Sequence, residues 1–340
     1  MDIVAGYFWF EAPSWKRHEI SPSRLFDPTK EYCNSFLNLC MDVNLDGWTD
    51  LVLIDFPGHP GFWLENPRNK PGHWKKYVIG DSTGISNESP GFVDIDGDGR
   101  LDILCGDLAV KQTVWLQAPL KQGETAWKRY SLSAPNFPAA ERFAHGLGYA
   151  DINKDGRKDI ITTAGWLEAP ADRKQPDWVF HAGNLGEPCS QMHALDVNSD
   201  GKMDVVSASA HKLGIWWYEQ LSDGAGNMHW KRYTISEAVS QTHSSIMADI
   251  NGDGQPDLVT GKRYLAHHAN PDPGSFDPPL LLWFESTPGK PPYWIQREVD
   301  NNSGAGLNIV AEDMNKDGRI DIVIANKKGV FLFENLRAPD

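Results

Sequence analysis

The sequence predicts an all-β fold, a seven-bladed β-propeller, on three observations. An Asp-rich nine-residue motif returns six times, strand-like segments repeat in fixed order around each copy, and no stretch keeps a helical periodicity. The motif starts at Asp42 (DVNLDGWTD), Asp94 (DIDGDGRLD), Asp151 (DINKDGRKD), Asp196 (DVNSDGKMD), Asp249 (DINGDGQPD) and Asp313 (DMNKDGRID). Successive starts are 52, 57, 45, 53 and 64 residues apart, a period that suits a four-stranded blade with variable loops. A closed array of such blades makes 1–340 one domain.

Each repeat reads as strands a to d. Strand a is the short stretch before the motif, such as GLGYADI. Strand b follows it (DLVLIDF, DILCGD, DIITTAG, DVVSASA, DLVTGK, DIVIANK). Strand c is aromatic (YFWFE, GFWLEN, TVWLQA, GWLEAP, IWWYEQ, LLWFES, VFLFEN), and strand d opens on Trp (WKRHEI, WKKYVI, WKRYSL, WVFHAG, WKRYTI, WIQREV). Alternation with β-branched and aromatic residues, bounded by Gly, Pro and Asn, is the strand signal. The blades fall at about 1–20, 36–79, 88–132, 143–181, 190–235, 243–299 and 307–335. The first lacks strand a and the last lacks strand d. Met1-Asp2 aligns with Met203-Asp204, the end of a motif, so the expectation is a seventh loop cut at Asp2 and a truncated N-terminus.

The motif has the chemistry of a calcium loop. Calcium takes six to eight hard oxygen ligands, and carboxylates or amides at positions 1, 3, 5 and 9 with a carbonyl at position 7 supply them. Gly at position 6 permits the sharp turn. The expected ligands are Asp42, Asn44, Asp46 and Asp50; Asp94, Asp96, Asp98 and Asp102; Asp151, Asn153, Asp155 and Asp159; Asp196, Asn198, Asp200 and Asp204; Asp249, Asn251, Asp253 and Asp257; and Asp313, Asn315, Asp317 and Asp321. The loops sit between strands a and b, with no flanking EF-hand helix and no Glu at position 12. Their 19 Asp residues would repel one another without metal, and six Ca2+ would bring the net charge from −14 to about −2. Calcium-dependent stability is therefore expected.

Composition narrows the partners. A net charge of −14 argues against nucleic acid, and no apolar run is long enough to span a bilayer. The first residues lack the basic start and apolar stretch of a signal peptide. Cys33, Cys40, Cys105 and Cys189 show no metal-type spacing; they read as mostly free, buried thiols, with a Cys33–Cys40 bridge left open. The recurring Trp residues read as packing between blades.

On these motifs the chain resembles the FG-GAP/VCBS repeat family, also seen in integrin α-chain propellers. The wording GWLEAP, AHKLGIWWYEQ, SQTHSSIMADINGDGQPDLVTGKRYLAHH and NKKGVFLFEN is similar to a bacterial, usually exported subgroup. That subgroup is in turn similar to the propeller domain of the aldos-2-ulose dehydratases. The resemblance implies elimination of water from a keto-sugar; this chain lacks the cupin domains that follow the propeller there.

In a propeller the calcium loops occupy one face, and the b–c and d–a connections occupy the other. Function is expected on that second face. Five residues past each position-9 Asp stand Tyr7, Asp55, Asp107, Ala164, Ser209, Lys262 and Asn326. Six before each position-1 Asp stand Phe36, Glu88, His145, Ser190, His243 and Leu307. His145 and His243 thus share a register two blades apart. His145, His243, Tyr264, Lys262 and Arg263 are the candidate catalytic residues. Glu88, Asp107, Trp166, His193, His211, His267 and His268 are candidates for substrate binding. The imidazoles could hold a transition metal such as zinc. The Pro/Asp-rich insertion 269–279 is long enough to shape this pocket. His18, His73 and His229 read as structural.

Two functions compete. One is a carbon–oxygen lyase, dehydratase-like, abstracting a proton next to a sugar carbonyl: His145 or His243 as base or metal ligand, Tyr264 as acid, Lys262 and Arg263 stabilising the enolate. The other is a non-catalytic propeller that binds a glycan or a protein. No P-loop, dinucleotide fingerprint or serine-triad order supports another enzyme class. Because such loops fill at millimolar calcium, a secreted or periplasmic location is expected.

Overall fold

The computed structural model describes residues 1–68, 70–80, 84–189, 191–267 and 272–336. The fold is all-β, with the seven antiparallel blades of a β-propeller; among the described residues the only helix is the 3-10 turn Pro138–Ala140. The first sheet has three strands, Ile3–Ala5, Phe8–Glu11 and Lys16–Glu19, and so has the last, Ile309–Glu312, Asp321–Asn326 and Gly329–Phe333. The five between are four-stranded meanders. Among the described residues no helix is long and apolar enough to cross a membrane.

Each nine-residue loop connects the first two strands of its sheet, and its hydrogen bonds explain the motif. The position-1 carboxylate accepts backbone N–H bonds from positions 5 and 6: Asp196 from Asp200 (3.0 Å) and Gly201 (2.8 Å), Asp313 from Asp317 (3.0 Å) and Gly318 (2.8 Å). Position 6 holds φ near +85° (Gly201 +87°, Gly254 +84°), a conformation open to glycine. The position-9 Asp is a staple. Asp204 accepts from Val197 N–H (3.1 Å), inside the loop, and from Gln220 N–H (2.8 Å), on the third strand. Asp50, Asp102, Asp159, Asp257 and Asp321 repeat this pattern.

The second strand of each four-stranded sheet is buried throughout, as in Asp50–Ile54, Asp204–Ala208 and Asp257–Gly261. The Trp of the last-but-one strand stacks on a ring of the last: Trp63 on Tyr77 (centroids 4.4 Å), Trp115 on Tyr130 (4.6 Å), Trp217 on Tyr233 (4.6 Å), Trp9 on His18 (4.1 Å) and Trp166 on His181 (4.2 Å). Such pairs contribute about 0.5–1.5 kcal/mol each beyond their buried area. The four cysteines are free thiols, with Cys105 and Cys189 buried and Cys33 and Cys40 exposed.

The chain divides into two compact units, Met1–Ala144 with Pro170–Val179, and His145–Ala169 with Phe180–Asp340. In the first, Ile20, Leu51, Leu53 and Leu64 form one buried cluster. In the second, Ile161 and Trp166 pack on Val205, Trp216 and Tyr218; Val206 and Trp217 pack on Leu258 and Phe284; and Val259 and Leu281 pack on Ile309 and Ile322. Within the second unit, apolar layers thus lock successive blades together.

Candidate functional site

The second unit gathers histidines from three successive blades. His145 lies two residues before strand Leu147–Ala150, His211 follows strand Asp204–Ala208, and His243 lies two residues before strand Ser245–Ala248. His145 Nε2 is 3.0 Å from His243 Nε2 and 3.1 Å from His211 Nε2. One ligand nitrogen from each can be chosen so that all three lie within 4.8 Å of one another. A neutral imidazole Nε2 carries either one proton or one in-plane lone pair, so His145 Nε2 cannot make two ordinary hydrogen bonds at once. A cation accepting three lone pairs removes that conflict. Imidazole nitrogens around a tetrahedral zinc, each 2.0–2.1 Å from it, lie about 3.3 Å apart, close to the separations here.

The surroundings of His211 and His243 disfavour a charged ring. Burial, then the nearby Arg263 charge, pushes the His243 pKa well below its ordinary value, and the same two causes lower that of His211. The support is an unusual run: Ser240, Gln241, Thr242, His243, Ser244 and Ser245 are six consecutive polar residues, none more than 5 % exposed. Buried polar runs persist only where hydrogen bonds satisfy them. Thr242 N–H and Oγ1 both donate to Ser209 O (3.0 and 2.9 Å), Ser244 Oγ donates to Gly306 O (3.1 Å), and Ser245 N–H to Gln191 Oε1 (2.9 Å). Gln241 and His267 hold left-handed φ of 53° and 49°, uncommon for residues with a side chain.

A second layer adjoins the triad. Asp272 Oδ2 lies 3.2 Å from His211 Nδ1, 3.0 Å from His267 Nδ1, 3.1 Å from Gln241 Nε2 and 3.8 Å from the Arg263 guanidinium. Burial raises the Asp272 pKa, but the bonds from Gln241, His211 and His267 outweigh it and hold the group below its ordinary value. His267 stacks on His211 with centroids 4.7 Å apart. Lys262 is buried; its Nζ donates to Arg263 O (3.2 Å) and Ser275 O (3.4 Å), and burial lowers its pKa. Tyr264 is half-buried, with Lys328 Nζ 5.2 Å from its ring centroid.

The other candidates have partners of their own. His193 Nε2 pairs with Ser245 Oγ at 3.0 Å, and burial pushes its pKa down to about 4. Trp166 is buried in the interblade core, stacked on His181. In the first unit, Asp107 is a buried partner of Arg129 (2.7 Å), and Glu88 is buried with its N–H donating to Ala144 O (3.1 Å). His268 is outside the described residues. Sequence reasoning missed Asp272 and Gln241. The signals available were the Asp in the insertion after the sixth second strand, and the unbroken polar stretch SQTHSS where a core strand should begin.

Two stretches, residues 42–105 and 196–260, match the family described as FG-GAP-like repeat. No curated protein matches the chain at a significant level. Among solved structures it is similar to an Agrocybe aegerita lectin that recognises non-reducing terminal N-acetylglucosamine. That match is 16% identical, covers 86% of this chain and 72% of the lectin, and has a TM-score of 0.46. It is also similar to the V. cholerae biofilm matrix protein Bap1, with 15% identity, 81% of this chain and 40% of that one covered, and a TM-score of 0.37.

The repeat loops offer an all-oxygen donor set of the kind calcium takes. In the loop at 94–102, carboxylate oxygens of Asp94, Asp96 and Asp102 lie within 4.8 Å of one another. Burial pushes the position-9 carboxyl of Asp102 up to about 7 and those of Asp50, Asp159, Asp204 and Asp257 to about 6. Acids so perturbed suit a site that a cation completes.

Proposed function

We propose that the histidine centre holds a divalent transition metal and that the chain is a carbon–oxygen lyase acting on a keto-sugar. The observation that carries this reading is the convergence of His145, His211 and His243 through Nε2. Three histidines and an open position are the ligand pattern of catalytic zinc, and such a metal would polarise the sugar carbonyl. The chain's own residues supply the rest. His267, oriented by Asp272, takes the proton from the carbon next to the carbonyl. Arg263 and Lys262 face the negative charge that develops on the carbonyl oxygen. Tyr264 protonates the departing hydroxyl, which leaves as water as the carbon–carbon double bond forms. His145 and His243 thereby become ligands rather than bases. Calcium in the six repeat loops stabilises the blades and fits a secreted or periplasmic protein.

The test is elemental analysis of the purified protein, followed by incubation with keto-sugars and measurement of conjugated-enone absorbance. One transition-metal ion per chain is expected, with absorbance growth abolished in His243→Ala and His267→Gln. A metal-free wild type without turnover overturns the reading. Glycan retention with no enone would make the propeller a binding module instead.

A further inference from the structure

We propose that Asp272 is a positioning residue: it fixes the tautomer of His211 and ties metal affinity at the histidine centre to the seating of the turn 272–277. This rests on the metal reading above. An ionised carboxylate only accepts hydrogen bonds, so at 3.2 Å from Asp272 Oδ2 the proton of a neutral His211 sits on Nδ1. Nε2, 3.1 Å from His145 Nε2, then presents a lone pair to a cation. The opposite tautomer would turn N–H towards the metal. A carboxylate behind a ligating imidazole also raises the basicity of the ring.

The turn is seated by the same residues that build the centre. Gln241 Nε2 donates to Asp272 Oδ2 (3.1 Å) and to Ser275 Oγ (3.1 Å), and Ser275 Oγ donates to Asp272 O (2.6 Å). Gly274 has φ +71°, and a Cβ there would come within 2.5 Å of Ser240 Oγ. The turn therefore lies flat on the run that carries His243. Metal binding favours the Nδ1–H tautomer, that tautomer favours the Asp272 contact, and by linkage a seated turn favours metal.

The experiment titrates Co2+ into protein stripped of transition metal but held in excess calcium, so that the acidic loops stay filled. Isothermal titration gives affinity and the cobalt absorption spectrum gives ligand geometry. Asp272→Ala should weaken binding about 10- to 100-fold, and Asp272→Glu should recover part of the loss. Gly274→Ala, which touches no imidazole, should weaken binding in the same direction by unseating the turn. The thermal midpoint of each metal-stripped variant in calcium reports whether it is folded. Wild-type affinity in both folded Asp272→Ala and folded Gly274→Ala overturns the positioning role and leaves the metal reading intact. Absence of Co2+ binding to wild type overturns both.

Discussion

The two ends of the same strands carry opposite chemistry. In blades four to six of the second unit, the loops at 151–159, 196–204 and 249–257 present carboxylates at one end. His145, His211 and His243 stand at the other. The acidic end is repeated: in every loop the position-6 glycine N–H donates to the position-1 carboxylate, with the same glycine turn and the same staple at position 9. The histidine end is not repeated. It takes one ring from each of three blades and a carboxylate from an insertion found in one of them. Repetition marks what every blade needs in order to fold, and its breakdown marks what the molecule needs only once.

The sharpest way to break this comparison is to remove calcium. Each site held at a hundred times its dissociation constant adds about 2.7 kcal/mol, so chelation should lower the calorimetric midpoint more than any single substitution. An unchanged midpoint would remove calcium from the account. The pH dependence should separate the two ends as well. Without calcium, Asp50, Asp159, Asp204 and Asp257 keep protons up to about pH 6, whereas 3.8 is their ordinary pKa. The native state then binds more protons than the unfolded chain in that interval, and stability should fall as pH rises through it. Calcium should abolish that fall. His193 has the opposite sign: its pKa is down from 6.5 to about 4, so its contribution is complete above pH 6.5 and is lost as pH falls towards 4. Urea unfolding at pH 4, 5, 6 and 7, with calcium and with chelator, reads both slopes.

A smaller effect distinguishes the staple from the ligands within one loop. Asp204→Ala leaves the N–H groups of Val197 and Gln220 without their acceptor, at about 1–3 kcal/mol each, and should destabilise the protein with or without calcium. Asp200→Ala should cost less than Asp204→Ala in chelator, because its carboxylate accepts one N–H bond, from Lys202 (2.9 Å), and otherwise meets the part-exposed Lys202 ammonium at 3.7 Å. Equal losses in chelator for the two variants would contradict this division.

This division also accounts for what could be read from the sequence. The strands, the incomplete first and last sheets and the loop positions were legible because each is stated six or seven times, and register follows from counting. The same counting gave His145 and His243 equal registers. It could not give Asp272, which lies in an unrepeated insertion with no counterpart to count from. Nor could it place Trp166: the motif GWLE looks alike whether the ring faces solvent or packs on Trp216. Glu88 shares the register of His243, yet register alone does not say which chemistry that position serves.

The smallest predicted effect lies in an exchange between repeats. In the second blade, Asn44 at loop position 3 donates to Glu65 (3.3 Å), which accepts from Tyr77 (2.8 Å). In the fifth, Asn198 donates to Glu219 (3.0 Å), which accepts from Tyr233 (2.9 Å). In the third, both partners are swapped: Asp96 replaces the amide and Gln117 the acid, with Gln117 Nε2 2.5 Å from Asp96 Oδ2. Each pair thus has one amide and one carboxylate. Asp96→Asn alone sets amide against amide, and Gln117→Glu alone sets two carboxylates together, so each should destabilise. The double variant recreates the arrangement of the second and fifth blades and should recover about 1 kcal/mol relative to the sum of the single changes. Urea unfolding in calcium measures that coupling. If the two effects simply add, the swap is incidental; if they couple, the third strand of each blade helps orient the acidic loop before it.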